Sequence, residues 1–117
     1  MQRVTDVPHL PPRRRDGHKG NYGRVLVTGG SRGMVGAVAL ASNAALRGGA
    51  GLVTFAAPEP VQLTIASLVP CATSLPLACG PDGQLAPVAV GQMIDALAGC
   101  DVLAIGPGLG GDARGAD

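Results

Sequence analysis

The fold is decided by one stretch of sequence, Arg24-Val25-Leu26-Val27-Thr28-Gly29-Gly30-Ser31-Arg32-Gly33. Its first half is an apolar, β-branched run without polar alternation, which is the pattern of a strand buried on both faces. The glycines that follow end this strand in a flexible loop. A helix over residues 35–47 is predicted next, because small and apolar side chains recur there at steps of three and four residues. The order of strand, glycine-rich loop and helix predicts the first unit of an α/β sheet.

The same alternation continues along the chain. Further strands are predicted over residues 52–56, 73–75 and 101–105, and further helices over residues 58–68 and 88–98. Pro76 predicts either the end of the third strand or an edge position for it, since proline cannot donate to a neighbouring strand. Val90, Ile94 and Leu97 fall on one side of the last helix. These elements predict a parallel sheet in three layers, with helices on both faces, within a single domain that spans residues 1–117 and opens with an irregular lead-in over residues 1–23.

Composition and charge narrow the function classes. Hydrophobic residues make up 46% of the chain and aromatic residues 2%, so the core is expected to consist of Ala, Val, Leu and Ile. A net charge of +1 gives no electrostatic reason to expect a nucleic acid or a membrane as partner. Three cysteines without paired short spacing argue against a disulfide framework or a zinc site. We therefore expect a cytoplasmic protein without a bound structural metal.

Two glycine-rich loops are candidates for ligand binding: Gly29–Gly36 after the first predicted strand, named the first loop, and Gly106–Gly111 after the last, named the second loop. Ligands of open parallel sheets bind beyond the carboxyl ends of the strands, where both loops are expected. Glycine allows the backbone to approach a ligand closely, and the amino end of the following helix favours a phosphate. Two such loops on one edge favour ligand binding over a purely structural role.

A nicotinamide-dependent oxidoreductase of the short-chain type is one alternative, because Thr28 to Gly33 is similar to the opening of that class. The position two residues after Gly33 would have to be glycine in such an enzyme, whereas here it is Val35. The only acidic candidate for a ribose contact after the second strand is Glu59, between two prolines. These departures weaken the oxidoreductase hypothesis.

Several segments taken together resemble the ADP/ATP-dependent NAD(P)H-hydrate dehydratases. The matching segments occur in family order and span residues 13–111. They are His18-Lys19-Gly20-Asn21-Tyr22-Gly23, Val25 to Ala37, Ala45 to Thr54, Pro58-Glu59, and Ile105-Gly106-Pro107-Gly108-Leu109-Gly110.

This resemblance implies a ribokinase-like α/β fold of which only the N-terminal part is present. It also implies an activity: removal of water from the S epimer of hydrated NADH or NADPH, driven by ADP or ATP, with Mg²⁺ as the expected metal ion. By position, Ala37, Gly106 and Gly108 would contact the hydrated cofactor. The other candidates for lining the pocket are Gly30, Ser31, Gly36, His18 and Lys19. The full-length protein is expected to form homo-oligomers.

The resemblance also implies what the chain lacks. The histidine-containing loop, the segment over the adenine nucleotide and the glycine-rich loop that ends in the catalytic aspartate all belong downstream of residue 117. We assign no catalytic residue, and Asp112 is not the missing aspartate because it follows the fourth strand. We expect the chain alone to be inactive and to expose apolar surface at an unpaired sheet edge. A ribokinase-like small-molecule kinase and a non-enzymatic nucleotide sensor are the remaining alternatives.

Overall fold

A computed structural model describes residues 1–111 of the chain. Asp112, which the sequence analysis discusses, lies outside these residues. The strands are β1 (Arg24–Thr28), β2 (Leu52–Pro58), β3 (Thr73–Leu77) and β4 (Val102–Ile105). The helices are α1 (Gly36–Gly48), α2 (Glu59–Leu68) and α3 (Val88–Leu97), preceded by a short 3-10 helix, Lys19–Asn21. The predicted α/β alternation is confirmed.

The strands form one parallel sheet in the order β3-β2-β1-β4. The chain therefore moves from β1 to one side for β2 and β3, and later crosses to the other side of β1 for β4. In the register, Thr28 lies opposite Ala56 of β2 and opposite Ile105 of β4. The two central strands are β1 and β2, which explains their continuous apolar sequences.

Helices cover both faces of the sheet, as predicted. On one face, α1 and α2 pack on a core around Val27, Phe55 and Ile65. On the other face, α3 packs through Ala89 on Leu26 and Leu77. The core contains one phenylalanine among Val, Ala, Leu and Ile, which agrees with the composition.

The third strand continues through Pro76 to Leu77, two residues past the predicted end. Pro76 is tolerated because β3 is an edge strand, so that its missing N–H is not required by a second neighbour. The edge alternative in the sequence prediction is confirmed, whereas the predicted end of the strand is wrong. The second strand is also longer than predicted and ends at Pro58, directly before α2.

The predicted grouping of Val90, Ile94 and Leu97 on one side of α3 is divided in the structure, since Leu97 packs on the core whereas Val90 and Ile94 face away from the sheet. Both side chains are exposed, whereas Ala89 is buried and Met93 and Ala96 pack on the core. Periodicity alone could not distinguish the two faces, because nearly every position of this helix is apolar or small.

The lead-in over residues 1–23 is less irregular than predicted, since it contains the 3-10 helix Lys19–Asn21. The Nδ1 atom of His18 accepts a hydrogen bond from the Gly20 N–H, and the Asn21 side chain accepts one from the His18 N–H. The Arg13 guanidinium stacks over the Tyr22 ring and donates to the Gly49 carbonyl at 2.9 Å. These contacts attach the lead-in to the end of α1.

Within residues 1–111, β4 forms the second edge of the sheet and exposes apolar side chains. Val102, Leu103 and Ile105 are 54%, 41% and 61% exposed, respectively. This agrees with the expected unpaired, apolar edge, a feature that favours association with other chains.

One buried group of the core predicts a stabilising substitution. The Ser42 hydroxyl lies on the inner side of α1, is fully buried and has no hydrogen-bond partner within the described part of the chain. Because a buried hydroxyl without a partner keeps its desolvation cost, Ser42→Ala should raise the free energy of unfolding by about 1 kcal/mol. Urea denaturation followed by circular dichroism measures this change. A lower midpoint for Ser42→Ala would show that the hydroxyl is paired in solution.

Candidate functional site

The first and second loops lie side by side at the carboxyl edge of the sheet. They follow β1 and β4, which are paired neighbours. The Gly106 N–H donates a hydrogen bond to the Thr28 carbonyl at 2.9 Å. This bond joins the first residue of the second loop to the residue just before the first loop. The strand order also reverses here, since β2 and β3 lie on one side of β1 and β4 lies on the other. The crevice beyond the carboxyl ends of β1 and β4 is therefore a switch point, where open α/β sheets bind ligands.

The two loops touch through glycine backbones. A Cβ atom at position 29 would lie 2.8 Å from the Pro107 carbonyl oxygen, and one at position 108 would lie 3.1 Å from the Met34 carbonyl oxygen. Gly30, Gly106 and Gly108 have positive φ angles of 85°, 73° and 79°, a region that L side chains rarely adopt. The sequence requires glycine here both for backbone conformation and for the close approach of the loops.

The first turn of α1 opens onto this rim. Its N-cap residue, Val35, provides no side-chain hydrogen bond, and the first turn contains no acidic residue. Among the described residues, none accepts a hydrogen bond from the Gly36 or Ala37 N–H. Both groups lie in the first turn of the helix, where N–H groups have no intrahelical carbonyl partner. Gly36 is exposed with open space beside it, and Ala37 is half-buried. These amides can donate to a ligand that carries negative charge.

Ser31 lies where the two loops meet. Its side chain is 8% exposed, and its hydroxyl has no hydrogen-bond partner among residues 1–111. A Cβ atom at position 110 would lie 3.3 Å from Ser31 Cβ and 3.6 Å from Ser31 Oγ. The Ser31 carbonyl accepts a hydrogen bond from the Met34 N–H at 2.9 Å, which closes the turn that leads into α1.

The rim carries little formal charge. Neither loop contains an acidic residue, and Arg32, which is exposed, is the only charged residue in them. In the part of the chain that the structure describes, no group of three or more His, Cys, Asp or Glu side chains could hold a metal ion. The site is therefore suited to anionic or polar ligands bound by main-chain amides.

The structure brings together six of the eight predicted site residues and separates two. Gly30, Ser31, Gly36, Ala37, Gly106 and Gly108 lie at the carboxyl edge, on the two loops and the first turn of α1. His18 and Lys19 precede β1 and lie at the opposite edge of the sheet, which is formed by the amino ends of the strands. There the Lys19 backbone packs against Gly51, just before β2. The sequence order of a parallel sheet explains this separation, because segments that enter strands and segments that leave them lie at opposite edges.

A cavity of about 540 Å³ also lies at this opposite edge. It is bounded by the lead-in, including Leu10 and Tyr22, and by the end of α1 at Gly48 and Gly49. It therefore does not coincide with the two loops.

A family model for NAD(P)H-hydrate dehydratase matches residues 25–117, which include β1 from its second residue, α1 and both loops. The chain belongs to the NAD(P)H-hydrate dehydratase family. The match begins at the second residue of β1, so His18 and Lys19 lie outside it.

Individual proteins similar to this NAD(P)H-hydrate dehydratase family member show the same relationship. The bifunctional NAD(P)H-hydrate repair enzyme Nnr of Moorella thermoacetica is 50% identical over 103 residues, which cover 88% of this chain and 19% of that protein. A ribokinase-like superfamily protein from Enterococcus faecalis superimposes with a TM-score of 0.69 at 29% identity, covering 87% of this chain and 32% of that one. The fold is therefore ribokinase-like, as expected.

The ADP/ATP-dependent NAD(P)H-hydrate dehydratase from Bacillus subtilis, co-crystallised with ATP and Mg²⁺, is a further structural neighbour. Its TM-score is 0.56 at 29% identity, and the match covers 82% of this chain and 41% of that chain. The chain thus spans between about a fifth and two fifths of the length of these relatives.

Sequence reasoning missed two features of this candidate site. Gly29 was treated as one member of a flexible loop, yet it makes the tightest contact between the loops. The orphaned state of the Ser31 hydroxyl depends on how the second loop covers it, so only the three-dimensional arrangement reveals it. The prediction that both glycine-rich loops lie at the carboxyl edge of the sheet is confirmed by the pairing of β1 with β4.

Proposed function

We propose that this chain forms the hydrated-cofactor wall of an ADP/ATP-dependent (S)-NAD(P)H-hydrate dehydratase. The observation that carries the proposal is the contact between the first and second loops at one rim, directly beside the open first turn of α1. Ala37, Gly106 and Gly108 would contact the hydrated cofactor through main-chain groups. Gly30, Ser31 and Gly36 would shape the same pocket.

In the proposed reaction, the hydroxyl group of the hydrated dihydropyridine is phosphorylated at the expense of ADP or ATP. The phosphate then leaves with the C–O electron pair, and loss of a proton from the neighbouring carbon restores the ring double bond. The contribution of this chain is to bind and orient the hydrate, because glycine-rich loops that fix a reacting group lower the entropic part of the barrier. Neither loop has a side chain suited to act as general base.

The described residues do not fit a Mg²⁺ site. Magnesium prefers carboxylate and phosphate oxygens, and both loops lack carboxylates. We therefore assign no metal ligand and derive no step through the ion. The Bacillus subtilis neighbour, with its ATP and Mg²⁺, supports a nucleotide co-substrate for the longer protein.

The remaining parts of the proposal concern the cell and the assembly. In the described region no helix has the length and apolarity needed to cross a membrane. Cys71, Cys79 and Cys100 are free thiols, which suits the reducing cytoplasm that we propose as the location. Homo-oligomer formation by the longer protein stays a prediction.

The proposal is tested by titrating the 117-residue chain with hydrated NADH and with NADH in a calorimeter. We expect saturable binding of the hydrate, and weaker binding of NADH, which lacks the added hydroxyl. For the longer protein that carries this chain, we expect recovery of the NADH absorbance only when ADP or ATP is present. Phosphorylation of a sugar without any recovery of NADH would instead support the kinase alternative.

A further inference from the structure

We infer that Ser31 and the first turn of α1 form a phosphate subsite that binds the pyrophosphate group of the hydrated dinucleotide. The inference rests on the proposed function for the identity of the ligand. It assigns the first loop to the phosphate part of that ligand, and it gives Ser31 a specific role as hydrogen-bond donor. Two independent observations on residues 1–111 support it: the amides in the first turn of a 13-residue helix have no acceptor there, and a buried hydroxyl has no hydrogen-bond partner there.

The amides provide the positive potential. In the described chain, the N–H groups of Gly36 and Ala37 have no acceptor, and α1 has neither a capping side chain nor an acid in its first turn. Where a helix has no internal cap, a bound anion satisfies the same donors and interacts favourably with the helix dipole. The open space beside Gly36 leaves room for such a group.

The hydroxyl provides the second indication. Ser31 is 92% buried, being 8% exposed, and a hydroxyl at that depth normally has a partner, because an unmade hydrogen bond is costly. Ser31 starts the turn that leads into α1, and it is covered by Gly110 of the second loop. Gly110 has a φ angle of 78°, and a Cβ atom at its position would lie 3.6 Å from Ser31 Oγ, so the absence of a side chain at Gly110 leaves space beside the hydroxyl at the rim.

The local charge selects an anion. The two loops contain no acidic residue, so nothing in them repels a phosphate, and the exposed Arg32 adds one positive charge. A neutral dihydropyridine ring would leave the helix amides without a charged acceptor. The pyrophosphate therefore fits the first loop better than the hydrated ring does.

The chain offers a matched control for Ser31. Within residues 1–111, Ser31 and Ser42 are the two buried side-chain hydroxyls without a partner, but Ser42 lies on the buried side of α1, more than one turn beyond its first residue. Ser31→Ala and Ser42→Ala should both leave thermal stability equal to or above that of the parent chain. This shared response separates an effect on binding from an effect on folding.

The test is a titration of the isotope-labelled 117-residue chain, observed by NMR, with inorganic pyrophosphate, hydrated NADH and ADP in separate arms. We expect pyrophosphate and the hydrate to shift the Gly36 and Ala37 amide signals. Ser31→Ala should lower the affinity for pyrophosphate and for the hydrate about tenfold, because a hydrogen bond to a charged group is lost. Ser42→Ala should leave both affinities unchanged.

Each other outcome overturns the inference in a recognisable way. If the hydrate binds the parent chain and Ser31→Ala equally well, the proposed function stands and the phosphate subsite is wrong. If ADP, and not the hydrate, shifts these amides in a Ser31-dependent manner, the phosphate belongs to the co-substrate and the assignment to the dinucleotide is wrong. If the hydrate does not bind at all, the proposed function fails together with the assignment.

Discussion

Gly51→Ala is expected to cost about 3 kcal/mol or more of folding stability, an unusually large loss for the addition of one methyl group. A Cβ atom at position 51 would lie 2.6 Å from the Lys19 carbonyl carbon and even closer to its oxygen. Both contacts are with backbone, which cannot move aside by rotating a side chain. The Gly51 N–H also donates to the Tyr22 and Gly23 carbonyls at 3.2 and 3.0 Å, so displacing Gly51 would break the connection between the entries to β1 and β2. Urea denaturation followed by circular dichroism measures the loss.

Two controls show whether the clash with the lead-in is the cause. Gly48→Ala adds the same methyl group at the end of α1, where no described residue outside the adjoining helix backbone comes within 4 Å of it, and should raise stability by about 0.5–1 kcal/mol. In a chain without residues 1–20, Gly51→Ala should cost about 0.5 kcal/mol or less, because the lead-in backbone is gone; this comparison is a double-mutant cycle. An equal cost in both backgrounds would contradict the proposed clash.

The contact between Lys19 and Gly51 places His18 and Lys19 at the edge opposite the ligand loops, whereas the sequence analysis grouped them with those loops. The family resemblance supplied the residues as a set, and resemblance contains no information on which edge of the sheet each segment occupies. The order of elements does contain it, since the segment before β1 must lie at the edge where strands begin. The structure gives this segment a packing role: its backbone lies against Gly51, and Arg13 attaches it to the end of α1.

The strands and helices could be predicted because their apolar runs are short and are separated by glycine and proline. The position of β4 beside β1 could not be read from periodicity, because any order of parallel strands preserves the same pattern. The expectation that both loops share one rim therefore rested on the rule for ligand sites in open sheets, and the pairing of Thr28 with Ile105 confirms it. Contacts at single-atom scale, such as the contact between Gly29 and Pro107, depend on loop conformation and were beyond the sequence.

Gly29→Ala is expected to reduce the affinity for hydrated NADH by up to about a hundredfold, because overpacking costs about 1–3 kcal/mol and each 1.4 kcal/mol lost from binding is tenfold in affinity. Gly29 is buried, and its backbone does not have a positive φ angle, so alanine meets no conformational barrier. The added Cβ would lie 2.8 Å from the Pro107 carbonyl oxygen and 3.0 Å from Val38 Cγ2. The second loop must then move away from the first, and the shared rim opens. Calorimetric titration of the variant with hydrated NADH measures the effect.

Gly23→Ala is the matched control, since it lowers stability at the opposite edge without touching the rim. Gly23 has a φ angle of 84°, so alanine there should cost about 1–2 kcal/mol through backbone strain, and its nearest neighbour is the Asp101 carboxylate at 3.8 Å. Gly29→Ala should cost about 1–3 kcal/mol through overpacking, a loss of similar size. If the two variants lose similar amounts of stability but only Gly29→Ala loses affinity for hydrated NADH, the close packing of the two loops is required for binding. If both bind the hydrate as the parent chain does, the two loops do not form the binding site, and the function proposed for this rim is wrong.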